Sequence, residues 1–316
     1  MLYISLTAAT LLLSGAQFLA SPANAQTRDS AVVPMKNDGN YEVVQVCLNG
    51  TGPYKFAFDT GTNSTLVKRQ LLERLNIPTT GKVGFNSTTS TGDRQRAILD
   101  EVSVGGATVD HVESTFLESG DLVGLGKDVM GVLGENFLKH FDLLIDNRRQ
   151  TLTLDRTLEL AHIVEGEHLK VSRFGNTNSA WTPDRLIVEL RIPSVAHETL
   201  QFIIDSGMNE FILFKTSDIV WPLSLNGKSA GMRGMMGGSR SCIAQSMTVE
   251  LGSTQMRGMN VTGCLGLTRS RADADGLLPT RVFRRLFVSY REGYMIANPS
   301  IREQPSSTTA QIAMND

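Results

Sequence analysis

Phe56-Ala57-Phe58-Asp59-Thr60-Gly61-Thr62-Asn63 and Phe202-Ile203-Ile204-Asp205-Ser206-Gly207-Met208-Asn209 are one pattern written twice, with Phe, Asp, Gly and Asn in the same places and Leu66-Val67 answered by Ile212-Leu213. The offset is 146 residues, from Asp59 to Asp205. Two further blocks keep step at an offset of 145: Ile98, Val102 and Val104 with Ile243, Met247 and Val249, and Val132-Leu133 ahead of Glu135 to Phe141 with Leu277-Leu278 ahead of Thr280 to Leu286. A common register over three blocks means an internal duplication, so the chain reads as two copies of one unit.

The residues around each aspartate predict a hairpin that delivers it. Tyr41 to Leu48 is β-rich, Asn49 to Pro53 is a turn, and Tyr54 to Phe58 is a second strand ending at Asp59. Leu186 to Ile192, Pro193-Ser194 and Thr199 to Ile204 deliver Asp205 in the same way. Leu71, Leu72 and Leu75 stand at helical spacing ahead of Pro78, predicting a short helix within Val67 to Asn76. Val83 to Asp100 reads as a long hairpin with its polar tip at Ser90, Thr91, Gly92 and Asp93, and short helices are expected over Glu135 to Phe141 and Arg281 to Phe287. Gly231 to Gly238, rich in Met, reads equally as a second flap or a plain loop. Short strands and few helices make a mainly β protein of two similar lobes, residues 41–155 and 186–298. Residues 26–40 form an N-terminal linker or strand, residues 156–185 an inter-lobe connection with one irregular strand, and residues 299–316 a disordered tail.

Composition narrows the function classes. The 316 residues carry 30 Lys and Arg against 32 Asp and Glu, a net charge of −2 without single-sign runs, which argues against nucleic-acid partners. Five scattered histidines without H-E-x-x-H and three cysteines without C-x-x-C give no support for a metal site. Leu2 to Ala20 is mostly apolar and runs into Ser21-Pro22-Ala23-Asn24-Ala25, so residues 1–25 read as a secretory signal, cut after Ala25 or kept as an anchor. No other stretch approaches the ~18 apolar residues of a membrane span, so a periplasmic or secreted protein without further membrane insertion is expected. Disulfides are allowed there. Cys242 and Cys264 have their midpoint at residue 253, inside the turn Leu251 to Thr254, so they would face each other and form a disulfide if no bulge disturbs the hairpin.

Aspartates ending buried strands in two pseudo-symmetric lobes would meet across the lobe interface. Two carboxylates so close share one proton. The ionised member can take a proton from a bound water while the protonated member donates to a scissile carbonyl, which is amide hydrolysis by general acid-base catalysis. Gly61 and Gly207 leave room beside the carboxylates, and Thr60 and Ser206 can hydrogen-bond across the interface. The Thr62 hydroxyl would favour ionised Asp59, whereas Met208 offers Asp205 no donor, so Asp205 is expected to hold the proton and activity to peak at roughly pH 4 to 6.

At these residues the chain resembles the aspartic peptidases, which carry Asp-[Thr/Ser]-Gly in each of two β lobes with a hydrophobic-hydrophobic-Gly element beneath, here Val132-Leu133-Gly134. Tyr41 to Thr62 is similar to the start of pepsins, and Gly131 to Leu138 is closer to bacterial retropepsin-like proteins. The resemblance spans about Val32 to Asn298 and implies two six-stranded-barrel-like acid protease lobes and an aspartic endopeptidase acting as a monomer on peptides or unfolded proteins. It implies a water nucleophile, no cofactor and a flap closing over the cleft. A non-enzymatic peptide- or protein-binding relative of the same fold is the alternative. Lobe two departs from the pattern with Leu277-Leu278-Pro279 in place of the Gly element and with Met208 after its motif, and no Tyr or Trp between Asp59 and Asp146 supplies a flap aromatic.

Overall fold

The structure is a computed structural model that describes residues 28–38, 41–86, 91–118, 124–174, 185–214, 228–233, 239–264 and 274–302. The signal-like segment 1–25, Ser90, Gly234 to Gly238 and the tail beyond 302 lie outside the described residues.

Each copy of the repeat builds the same crossing of strands. In lobe one, Glu42–Leu48 and Thr51–Phe58 pair antiparallel (Val43 with Ala57) and end at Asp59. Val129–Leu133 then lies between Thr51–Phe58, to which it is parallel, and Thr65–Lys68, to which it is antiparallel. In lobe two, Arg185–Leu190 and Leu200–Asp205 form the hairpin (Ile187 with Ile203), and Gly276–Pro279 lies between Leu200–Asp205 and Phe211–Phe214 with the same directions. Two glycines make this crossing possible. A Cβ on Gly131 would stand 2.2 Å from the Leu66 carbonyl oxygen and 2.4 Å from the Phe56 ring, and one on Gly276 would stand 2.1 Å from the Ile212 carbonyl and 2.3 Å from the Phe202 ring. Phe56, Phe58, Phe202 and Phe211 are fully buried beneath the two aspartates, with Phe202 and Phe211 edge to face at 5.0 Å.

The lobes share a sheet. Asp142–Asp146 of lobe one pairs antiparallel with Arg285–Ser289 of lobe two, flanked by Thr151–Asp155 and Ser30–Pro34 on one side and by Tyr294–Ala297 and Leu169–Phe174 on the other. At this seam Arg285 Nε lies 2.8 Å from Asp146 Oδ2, and Ser289 Oγ donates to Asp142 Oδ1 at 2.8 Å. Residues from the expected connection belong to the folded body: Glu159–Ile163 is helical, and Leu169–Phe174 pairs with Arg185–Leu190.

Several local expectations are corrected. The helix after the first motif runs only over Arg69–Arg74, and the next over Glu135–Leu138. Arg281 to Phe287 is not helical: a 3-10 turn over Thr280–Val282 gives way to the seam strand Arg285–Ser289, because pairing with Asp142–Asp146 overrides local preference. Thr91, Gly92 and Asp93 are strand rather than hairpin tip, since Asn86 pairs with Thr91. Gly231 to Arg233 is likewise strand, paired with Ser239 to Ser241. Ser300–Ile301, expected in the tail, pairs with Val164–Glu165.

The cysteine hairpin forms by a route opposite to the expected one. Near the turn the register is Leu251 with Thr254, which on its own would bring Cys242 opposite Gly263. A bulge between Met247 and Val249 moves the register by one, with Gly258 (φ 72°) absorbing the extra residue on the facing strand. Cys242 therefore faces Cys264. Cys242 is disulfide-bonded and Cys47 is free.

Candidate active site

The two Asp-hydroxyl-Gly turns interlock. The Thr60 amide donates to Ser206 Oγ at 2.9 Å and the Ser206 amide to Thr60 Oγ1 at 3.0 Å. Each hydroxyl passes its own proton onward, Thr60 Oγ1 to the Ile204 carbonyl at 2.8 Å and Ser206 Oγ to the Phe58 carbonyl at 3.0 Å. Both side chains are buried, and these four hydrogen bonds join three polar groups of each lobe to the other.

This interlock sets the carboxylates side by side. The Gly61 amide donates to Asp59 Oδ1 and the Gly207 amide to Asp205 Oδ1, each at 2.8 Å. Across the axis, a Cβ on Gly61 would lie 2.4 Å from Asp205 Cγ, and one on Gly207 would lie 2.6 Å from Asp59 Cγ. Each carboxylate thus rests against the glycine of the other turn. Asp59 is 5% and Asp205 7% exposed, so both are poorly solvated while still reached from one side.

Burial raises both carboxyls above the ordinary aspartate range, and the pair is not symmetric. Asp205 is pushed well up by burial and by the adjacent Asp59 charge. Asp59 is raised mainly by burial, opposed by the Gly61 amide, by hydrogen bonding with Asp205 and by the Thr62 main-chain N–H. Burial and the Asp59 charge act together on Asp205, so of the two it is the more strongly raised. The Thr62 contribution comes from its main-chain N–H and not, as expected, from its hydroxyl. Met208 instead packs against the apolar cluster of Ile187, Ile203 and Ile212.

Beneath the first turn, Asn136 Oδ1 accepts from the Thr65 amide at 2.9 Å and from Thr65 Oγ1 at 2.8 Å, pinning the strand after Asp59 to the helix after Gly134. Gly134 is forced, because a Cβ there would be 2.5 Å from the Ser64 carbonyl. Lobe two carries Pro279 paired with Asp205 instead. Of the expected flap residues, Thr91, Gly92 and Asp93 lie on the hairpin Thr79–Asn86 with Thr91–Val104, at the edge of the lobe-one sheet. Sequence reading missed Arg185, whose positive charge reaches both aspartates. No local signal marks it: Arg185 lies 20 residues before Asp205, whereas its lobe-one counterpart Tyr41 lies 18 before Asp59.

Among the described residues, no cluster of His, Cys, Asp or Glu is arranged to hold a metal ion, and no helix is long and apolar enough to cross a membrane. Residues 44–137, which hold Asp59 but not Asp205, match the family model for aspartyl proteases. No curated protein matches the chain. Among solved structures it is similar to a retropepsin-like aspartic protease from Rickettsia conorii, at 19% identity over 40% of this chain and 88% of that one, with a TM-score of 0.29.

Proposed function

We propose that this chain, a protein of the aspartyl protease family, is an endopeptidase that cleaves peptides or unfolded proteins with a water activated between Asp59 and Asp205. The observation that carries the reading is the interlock: two buried carboxylates held against each other's glycines by reciprocal hydrogen bonds. Ionised Asp59 takes a proton from water as its oxygen attacks the scissile carbonyl, while Asp205 gives its proton to the carbonyl oxygen. In the resulting tetrahedral diol, Asp59 gives its proton to the amine nitrogen while Asp205 takes one back from a diol hydroxyl, so the C–N bond breaks, the carbonyl reforms and the starting charges return. Because one proton must be shared, activity requires a pH at which Asp59 is ionised and Asp205 is not, which places the optimum in weak acid, roughly pH 4 to 6. The hairpin Thr79 to Val104 serves as the flap. The apolar N-terminus supports export to the periplasm or beyond, and a monomer suffices because both motifs lie in one chain.

The test is incubation of the purified protein with a reduced, unfolded substrate protein from pH 3 to 7, with and without a peptide carrying a hydroxyl-bearing, non-cleavable replacement for the scissile bond. Cleavage in weak acid that this peptide blocks supports the reading. Tight binding of the same peptide without cleavage at any pH assigns the chain to the non-enzymatic binding relatives.

A further inference from the structure

Arg185 opens the strand Arg185–Leu190, whose ladder with Leu200–Asp205 pairs Ile187 with Ile203. Continued by two residues, that register sets Arg185 opposite Asp205, and residues opposite each other on antiparallel strands project from the same face of the sheet. Leu186, its neighbour, is on the other face, buried in the core. The Leu186 amide donates to the buried Glu135 of lobe one at 3.3 Å, so the backbone beside Arg185 is tied across the lobe boundary. Arg185 is therefore held at the edge of the cleft, next to the carboxylate pair.

Its side chain is under-used there. Arg185 forms no ion pair or hydrogen bond with any described residue, and its Nε is buried without a partner. A guanidinium has five donors in a planar fork matched to a carboxylate, and leaving such a group partly buried and unpaired is costly. Neither catalytic aspartate fills the fork directly, although the charge is felt by both. Lobe one has no counterpart cation: its register (Val43 with Ala57) sets Tyr41, a buried and uncharged residue, opposite Asp59. The two halves of the cleft thus differ by one positive charge at equivalent places.

We infer that Arg185 is a specificity-determining residue whose guanidinium takes a carboxylate of the bound peptide, on one side of the scissile bond only. The carboxylate is either an Asp or Glu side chain or the terminal carboxylate of a short peptide; the chemistry recognised is the same. This inference rests on the peptide-cleaving reading of the same site and names a substrate preference within it.

The test uses the full chain and paired non-cleavable peptides, each with a hydroxyl-bearing replacement for the scissile bond. One arm compares Glu with Gln at every position within three residues of that bond, and the other compares a free C-terminus with an amide at the same distances. Binding is measured near pH 5.5, where Glu is ionised, and turnover is measured in parallel on cleavable versions. The expected result is a preference of about tenfold or more for the charged member at positions on one side, in one arm or both. Arg185→Tyr, the lobe-one solution, and Arg185→Met should bring that ratio near one, and Arg185→Lys should leave an intermediate ratio. A wild-type ratio within twofold at all positions in both arms overturns the inference, as does a preference that survives in Arg185→Met. Binding preference without turnover keeps the inference and removes the peptidase reading, whereas turnover without preference does the reverse.

Discussion

Replacing Thr60 by Val tests whether the interlock holds the two lobes in one geometry. Val has nearly the shape of Thr, so what is lost is the hydroxyl: the Ser206 amide loses its acceptor and the Ile204 carbonyl its donor. Thr60, Ser206 and Ile204 are all at or below 2% exposure, so water cannot take over either role. Each buried group left unpaired costs about 1–3 kcal/mol, which gives about 2–6 kcal/mol for the pair. That is a large share of the roughly 5–15 kcal/mol by which proteins are stable. Urea unfolding is the assay, carried out with Asp59→Asn also present so that self-cleavage cannot distort the curves. Thr60→Ser keeps the hydroxyl and should lose no more than about 1 kcal/mol, whereas Ser206→Ala, which strands the Thr60 amide and the Phe58 carbonyl, should resemble Thr60→Val. Equal stability of Thr60→Val and Thr60→Ser would refute the reasoning, because shape alone would then account for both.

Other outcomes follow from the same geometry. Asp59→Asn and Asp205→Asn should each abolish cleavage of an unfolded substrate, since the pair acts as a unit; measurable turnover in either removes that residue from the chemistry. Both carboxyls hold their protons more tightly folded than unfolded, so their contribution to stability is complete below the ordinary aspartate value of about 3.9 and is lost as pH rises through the raised folded values. Asp205→Asn cannot ionise, so its melting temperature should gain on the wild type between pH 4 and 7, and a constant gap would contradict this sign. Thr62→Ala should leave the acid limb of the pH profile in place, because the group that favours ionised Asp59 is main chain. Non-reducing peptide mapping should recover Cys242 joined to Cys264, and reduction should cost about 3 kcal/mol of stability.

The parts of the fold legible in the sequence are those governed by short-range pattern. Alternating apolar residues ending at Asp59 and Asp205 announce both hairpins, and the repeat announces that they form a pair. What stayed hidden depends on partners distant in the chain. Arg281 to Phe287 looks helical until Asp142 to Asp146 is available as a ladder for Arg285 to Ser289. Nothing local marks Gly131 and Gly276 as crossing points until the neighbouring strands close on them. The bulge at Gly258 is one residue in a regular-looking strand, yet it decides which residue Cys242 meets. Arg185 reads as an ordinary charged strand end, and only its place opposite Asp205 shows that it faces the cleft.

The shared seam also sets the order in which the chain can close. The ribosome delivers Asp142 to Asp146 long before Arg285 to Ser289, so a half-made chain carries an open sheet edge and a solitary aspartate. Tyr294 to Ala297 must then close onto Arg285 to Ser289 and reach back to Leu169 and Lys170. Contacts of such long sequence separation form late. The last thirty or so described residues are thus the closing piece of the shared sheet: until they arrive, the seam that ties lobe one to lobe two cannot form.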